Sequence, residues 1–214
     1  MEPTEKNKIL SSLFFPALFV AIMWVVKLLE IIFSVRFVEF GIYPRELYGL
    51  PGIITAPFIH GDFAHLFNNS LPVLILGTAL FYFYRGISYK VFFLIYFITN
   101  LWLWSLGRPS YHIGASGLVY GLATFLFFSG IFRWNINLIV VSLLVTFLYG
   151  SLVWGILPID HKISFEGHFV GSIAGIFLAI YYRKEGPQKK KYEWEEEKDN
   201  EDEEEDAYWK IEEQ

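Results

Sequence analysis

The sequence predicts an all-α membrane protein, a bundle of six transmembrane helices with a long first extracytoplasmic loop, and three observations predict it. Hydrophobic residues make up 54% and aromatics 20% of a chain of only 214 residues, more apolar surface than a soluble domain of that length can bury. The apolar residues gather into runs near the roughly 20 helical residues that cross a hydrocarbon core of about 30 Å. Basic residues concentrate in alternate breaks between the runs, as cytoplasmic segments require.

The runs are 9–34, 65–84, 88–105, 116–132, 135–157 and 165–182, broken at Gly, Pro and charged residues. The first is too long for a secretory signal peptide and has no small-residue cleavage site before Lys27 and Glu30, so it reads as an uncleaved anchor helix. The break after it, 35–64, holds Pro44, Pro51, Gly52 and Pro57 among apolar residues and reads as a compact, partly membrane-embedded insertion. A loop of that length in a small domain is usually functional. With the N-terminus inside, ten basic residues, from Lys6 to Lys191, fall in inner segments, and four, Arg36, Arg45, Arg108 and Lys162, fall in outer ones. That asymmetry and the even helix number put both termini in the cytoplasm.

The net charge of −5 conceals two regions, because thirteen of the 22 acidic residues lie between Glu193 and Glu213. The chain therefore divides into a cytoplasmic N-terminus at 1–8, a basic membrane domain at 9–184 and an acidic tail at 185–214, expected to be disordered because like charges repel and nothing apolar offsets them. There is no cysteine, which removes disulfides and thiol catalysis. No internal repeat and no nucleic-acid-binding pattern is present.

All five histidines, His60, His65, His112, His161 and His168, fall in outer loops or at outer helix ends in this topology. Ionisable groups in a membrane are costly and mark a working site by default. The fourth run opens on Gly114, Ala115, Ser116 and Gly117 and reaches Arg133 after about 16 further residues, or about 24 Å of helix. A helix shorter than the hydrocarbon core sets Ser116 below the outer surface and leaves a recess for water. The sixth run carries His168 with Gly167, Gly171 and Gly175, and the fourth carries Gly117 and Gly121. Small residues four apart let two membrane helices approach closely, and if these faces meet, Ser116 and His168 lie at the same end.

A serine hydroxyl becomes a competent nucleophile when a base takes its proton, and histidine titrates in the right range. Acyl transfer also needs donors for the developing oxyanion. His65 and Asn69, one turn apart on one helix face, and the Ser116 N–H, unpaired at a helix start, can supply them. Each residue alone has an ordinary packing explanation. Together, three separate segments bring polar groups to one depth on one side.

GASG at 114–117, a histidine with an asparagine four residues on at 65–69, and GHFVGSIAG at 167–175 resemble the rhomboid intramembrane serine proteases, and the stretch from Tyr43 to Leu66 is similar to their prokaryotic branch. The resemblance covers 40–182. It implies a rhomboid-like six-helix core in the prokaryotic plasma membrane, with its active site opening to the extracytoplasmic side. It further implies a Ser–His dyad without an acid, Ser116 as nucleophile and His168 as base, and an oxyanion site of His65, Asn69 and the Ser116 N–H. Gly114 would complete the bend before the nucleophile, Tyr120 would pack on the histidine ring, and 135–164 would form the lateral gate and cap. The implied partners are transmembrane protein substrates, the lipid bilayer and water as co-substrate, with no cofactor. The Trp-Arg pair found in the first loop of some members is absent. Glu166, two residues from His168, is poorly placed to orient its ring and reads as an interfacial carboxylate, and Asp62 and Asp160 read as loop residues. Two other classes compete: a metal-binding membrane protein using the outer histidines, although no compact ligand spacing supports it, and a catalytically silent adaptor that binds transmembrane helices.

Overall fold

The computed structural model describes residues 5–148, 155, 157 and 164–186. These form six long helices and one short one: α1 Glu5–Ile32, α2 Gly52–Thr55, α3 Phe63–Phe83, α4 Ser88–Leu106, α5 Ser116–Phe132, α6 Ile136–Leu148 and α7 Phe165–Tyr181. Among the described residues there is no β-sheet, only an isolated antiparallel bridge between Ile42 and His112. By length and composition α1, α3 and α4 are long and apolar enough to cross a membrane, while α5 and α7 are shorter apolar helices of 17 residues.

Helix ends differ from the sequence expectation where polar residues extend a helix. The apolar run begins at residue 9, yet α1 starts at Glu5, whose carboxylate accepts from Lys8 Nζ and from the Tyr82 hydroxyl, both at 2.7 Å. Of the fifth run, expected at 135–157, the described residues Ile136–Leu148 are helical. The backbone at Gly155 and Leu157 is turned instead, and the rest of 149–163, with His161 and Asp160, lies outside the described residues, as does the tail beyond Gly186.

The central helix is α5, which packs on α3, α4, α6 and α7. It buries Leu118, Val119, Leu122, Phe125 and Leu126, as a helix apolar on every face does when other helices surround it. By contrast α1 buries a single stripe, Ser12, Pro16, Phe19, Val20 and Met23, which follows the helical repeat and faces α3. Its other face exposes Phe14, Leu18, Ile22 and Val25, a continuous apolar surface that belongs against lipid rather than water. Phe15 fills the space between α1, α3 and α4, its ring centroid 5.1 Å from those of Phe81, Tyr89 and Phe92.

Two features carry the site. First, α5 and α7 touch through glycine. A Cβ built on Gly117 would lie 3.1 Å from the Gly167 carbonyl oxygen, one on Gly121 would lie 3.1 Å from the Gly171 oxygen, and Cβ atoms on Gly171 and Gly175 would overlap the Gly117 and Gly121 carbonyls. Thr124 Oγ1 donates to the Ser172 carbonyl at 3.0 Å and fixes the same register. Second, the first loop docks on one face of α4 through side chains spaced four apart. Tyr96 donates to the Ile54 carbonyl, Asn100 Nδ2 to Ile53 O at 3.0 Å, and Trp104 Nε1 to Glu46 O at 3.0 Å. The loop's ends are pinned to α1 by the two charges in its apolar run. Lys27 Nζ binds Glu30 at 2.9 Å and the His60 and Gly61 carbonyls at 2.9 and 3.0 Å, and Glu30 accepts from the Phe37 N–H at 2.8 Å.

At the opposite end of the bundle, Arg133 is buried among acceptors. It donates to the carbonyls of Ser129, Tyr182 and Glu185, and its guanidinium lies 5.4 Å from the Tyr84 ring, so the ends of α3, α5 and α7 are tied together. The glycine contact is the tightest joint in the bundle. Gly171→Ala should therefore lower stability by roughly 1–3 kcal/mol, the usual cost of overpacking, read as a fall in the thermal midpoint of the detergent-solubilised protein. An unchanged midpoint would mean that the helices separate without cost.

Candidate active site

Ser116 is the first residue of α5, and Gly114 turns the chain into it with φ of +102°, a conformation L side chains rarely adopt. Space imposes the same choice, because a Cβ at Gly114 would sit 2.6 Å from His65 Nε2. The turn is anchored by the Gly114 N–H, which donates to the Ala56 carbonyl at 2.9 Å. As an N-terminal helical group, the Ser116 N–H has no partner within its own helix.

His168 lies in the first turn of α7, and its Nε2 is 2.7 Å from Ser116 Oγ. Its Nδ1 is 2.8 Å from the Gly155 carbonyl oxygen. A carbonyl only accepts, so Nδ1 carries the ring proton and Nε2 offers a lone pair to the Ser116 hydroxyl. The Tyr120 ring, one turn along α5 from Ser116, stacks on the imidazole at a centroid distance of 4.2 Å and an angle of 13°. One backbone acceptor and one aromatic face thus hold the ring, and no carboxylate is needed to orient it. Glu166 faces elsewhere and pairs with Arg108 at 3.6 Å.

The facing wall is the start of α3. Asp62 caps it, its carboxylate accepting from the His65 N–H at 2.7 Å, and this bond holds the Asp62 carboxyl below the usual carboxylate range. The same Cβ position at Gly114 lies 3.7 Å from Asn69 Nδ2, so the Asn69 amide and the His65 ring both face the turn ahead of Ser116. Asn69 Nδ2 also donates to the His65 carbonyl at 3.0 Å, which uses one amide hydrogen and leaves the second. His60 stands edge-on to His65 at 5.0 Å, and burial, with His65 beside it, pushes His60 down to about 3, so it stays neutral. A small cavity beside Ser116 is lined by Thr99, Asn100, His112 and Ser164 among others. Among the described residues no three His, Cys, Asp or Glu side chains converge as metal ligands would.

The structure thus brings together Ser116, His168, Tyr120, Gly114, His65 and Asn69 from three helices and one turn, with Gly117, Gly171 and Gly175 in the contact beneath them. Sequence reasoning missed Gly155, whose contribution is a backbone carbonyl and leaves no residue-type signal. It also missed the roles of Lys27 and Glu30, which had served only to argue against a signal peptide.

Fold and site together define a helical integral membrane protein that carries a hydrogen-bonded serine–histidine pair at one end of an apolar bundle. The chain belongs to the rhomboid family: the model of the Rhomboid domain matches residues 45–185. Uncharacterized proteins of Mycobacterium bovis and Mycobacterium tuberculosis are each 34% identical to it over 186 residues, covering 80% of this chain and 75% of theirs. An uncharacterized protein of Mycobacterium leprae is 28% identical over the same length, covering 71% of that protein. Members of the family are generally intramembrane serine proteases that act on membrane-protein substrates within the bilayer, and the family also includes inactive members.

Asp62 gives this site a measurable handle. Asp62→Ala should cost about 0.5–2 kcal/mol at neutral pH, the value of a lost helix cap. A depressed native carboxyl contributes above its unfolded value of about 3.9, and that contribution is lost as pH falls through the lower native value. The gap in thermal midpoint between wild type and variant should therefore narrow in acid; a gap that widens there would contradict the capping account.

Proposed function

We propose that this protein is an intramembrane serine endopeptidase that hydrolyses peptide bonds in or next to transmembrane segments by a Ser116–His168 dyad. The observation that carries the reading is the 2.7 Å contact from His168 Nε2 to Ser116 Oγ, in a tautomer fixed by the Gly155 carbonyl.

In the proposed reaction the Ser116 proton passes to His168 Nε2 as Oγ attacks the scissile carbonyl carbon. The resulting oxyanion accepts hydrogen bonds from the Ser116 N–H, the free Asn69 amide hydrogen and His65 in the tautomer protonated at Nε2. The imidazolium formed keeps its Nδ1–H on the Gly155 carbonyl and lies against the Tyr120 π face, which favours a cation. Collapse of the adduct breaks the C–N bond, and the leaving amine takes the proton from Nε2. Water then gives a proton to Nε2, its oxygen attacks the ester carbon, and Ser116 Oγ leaves and recovers that proton.

The reading includes a topology. All six long helices cross the bilayer, both termini are cytoplasmic, and the Ser116 end opens to the extracytoplasmic side of a prokaryotic plasma membrane. It is supported by the basic residues: Arg85, Lys90, Arg183 and Lys184 gather at the Arg133 end, where positive charge is retained in the cytoplasm. At 17 residues α5 spans only about 25 Å, so with Arg133 at the inner interface Ser116 lies below the outer surface, in reach of water from that side. Residues 185–214 form a cytoplasmic tail outside the catalytic domain.

A fluorophosphonate probe should label the purified protein, and labelling should disappear in both Ser116→Ala and His168→Ala, together with cleavage of a model transmembrane substrate. A folded protein that is neither labelled nor active would be a helix-binding adaptor instead. His65→Ala and Asn69→Ala should each lower kcat by about 10- to 1000-fold, the range for lost oxyanion donors, with a smaller change in KM. Chelators should leave cleavage intact, and inhibition by them would favour the metal-binding alternative.

A further inference from the structure

The Ser116–His168 bridge has a twin. His112 lies four residues before Ser116, Ser164 lies four before His168, and both bridges join residues 52 apart. His112 Nδ1 is 2.7 Å from Ser164 Oγ, the same separation as in the first pair, with histidine and serine exchanged between the two strands of chain. The protonation state is again fixed by a carbonyl. His112 Nε2 lies 3.1 Å from Arg108 O, which only accepts, so Nε2 bears the proton and Nδ1 receives the Ser164 hydroxyl hydrogen. Ser110 Oγ is a second neighbour of Nε2 at 3.4 Å. His112 is 3% exposed, and burial lowers its affinity for a second proton, which keeps this arrangement neutral.

Each end of this bridge leads directly to one member of the reactive pair. On the histidine side, His112 exchanges two backbone hydrogen bonds with Ile42 at 2.8 and 2.9 Å, and the chain continues through the anchored Gly114 turn into Ser116. On the serine side, Ser164 stands at the position before α7, where a serine ordinarily caps the helix with its side chain. Here it makes no such cap bond, and its hydroxyl goes to His112 instead. Its carbonyl accepts the backbone N–H of His168 at 3.3 Å. A serine that gives up a cap to make a tertiary bond is placed by the tertiary requirement. Another tie joins the same segments, the Arg108–Glu166 pair with Arg108 over the Phe165 ring at 5.4 Å, but at 3.6 Å and partly exposed that pair is a weak constraint.

We propose that the His112–Ser164 bridge is a positioning device: it locks the turn carrying Ser116 to the first turn of α7 and so sets the Ser116–His168 distance. The proposal rests on the protease reading above and deepens it, because His112 and Ser164 act through the reactive pair without touching the reacting atoms. The glycine contact fixes how closely α5 and α7 approach along their length. The bridge ties the two segments ahead of their helices, before the first glycine contact at Gly117 and Gly167.

The test uses the full-length protein in detergent with four single variants and one double: Ser164→Ala, Ser164→Val, Ser164→Thr, His112→Phe and Ser164→Ala with His112→Phe. The readouts are thermal midpoint, the rate at which a fluorophosphonate labels Ser116, located by peptide mass, and kcat and KM per labelled site. Ser164→Ala, Ser164→Val and His112→Phe should each lower kcat per labelled site on the order of 10- to 100-fold, as a misplaced reacting group does, with KM little changed. The double variant should be no worse than the poorer single, because both remove one bridge. Ser164→Thr, which keeps the hydroxyl in the shape of valine, should restore the rate. If Ser164→Val and Ser164→Thr react alike, or if the variants lose only thermal stability while kcat per labelled site holds, the bridge does not position the pair and the proposal falls. If His112→Phe does not fold, the valine and threonine variants still decide. A wild-type protein that is neither labelled nor active would overturn the protease reading itself, whereas a labelled wild type with indifferent Ser164 variants overturns this inference alone.

Discussion

The arrangement depends on the glycine contact between α5 and α7. In a bilayer, apolar side chains gain nothing by leaving lipid for one another, so two helices hold together by packing and by the few polar contacts close approach allows. Gly117 and Gly121 against Gly171 and Gly175 bring the two backbones to a separation that any Cβ would obstruct. Only at that separation does a serine at the start of one helix meet a histidine in the first turn of the other. The same closeness lets Thr124 reach the Ser172 carbonyl and puts the Tyr120 ring flat on His168. That backbone-to-backbone approach therefore sets how closely the two helices lie and in what register, and so brings Ser116 and His168 within reach of each other.

A second constraint is that polar groups in an apolar bundle need partners, and here many of those partners are backbone carbonyls. The His168 Nδ1 is held by Gly155, His112 Nε2 by Arg108, Lys27 by His60 and Gly61, and Arg133 by Ser129, Tyr182 and Glu185. Carbonyls freed at helix ends and in turns are the acceptors such a protein has in supply, because helix termini leave them unpaired. They fix tautomers without adding negative charge, which suits the proposed role of His168 as a base that stays neutral until it takes a proton. Acidic side chains stand apart from the pair, Glu166 on Arg108 and Glu30 on Lys27.

The first loop is the third part of the scaffold. It lies against α4 through Tyr96, Asn100 and Trp104 and returns through His60 and Asp62 to the start of α3, where His65 and Asn69 face Ser116. Its exchange with His112 and the bond from the Gly114 N–H to Ala56 make the loop a wall of the site rather than a connection between two helices. The segment folds into a series of short helical turns, and side chains from the helices around it fasten them in place.

By itself the sequence determined the class and the positions of most helices, and it singled out the residues that the fold brings together around Ser116 and His168. Apolar runs of membrane length admit little besides helices, since lipid offers no partner for a backbone left open. The glycines four apart also marked, in advance, the faces that meet. Tertiary structure alone decided what depends on groups without a residue-type signature. The carbonyl of Gly155 that sets the tautomer of His168 is chemically the same as every other carbonyl in the chain. The hydroxyl of Ser164 reads in sequence as a helix cap, and only the approach of His112 from 52 residues away diverts it. In sequence Lys27 and Glu30 spoke only against a signal peptide and Arg133 marked the inner end of a helix, and the fold turned all three into polar ties because it placed partners around them. Sequence periodicity reports which face of a helix is apolar, while the partner of a polar atom is fixed by distances that exist only once the helices have packed.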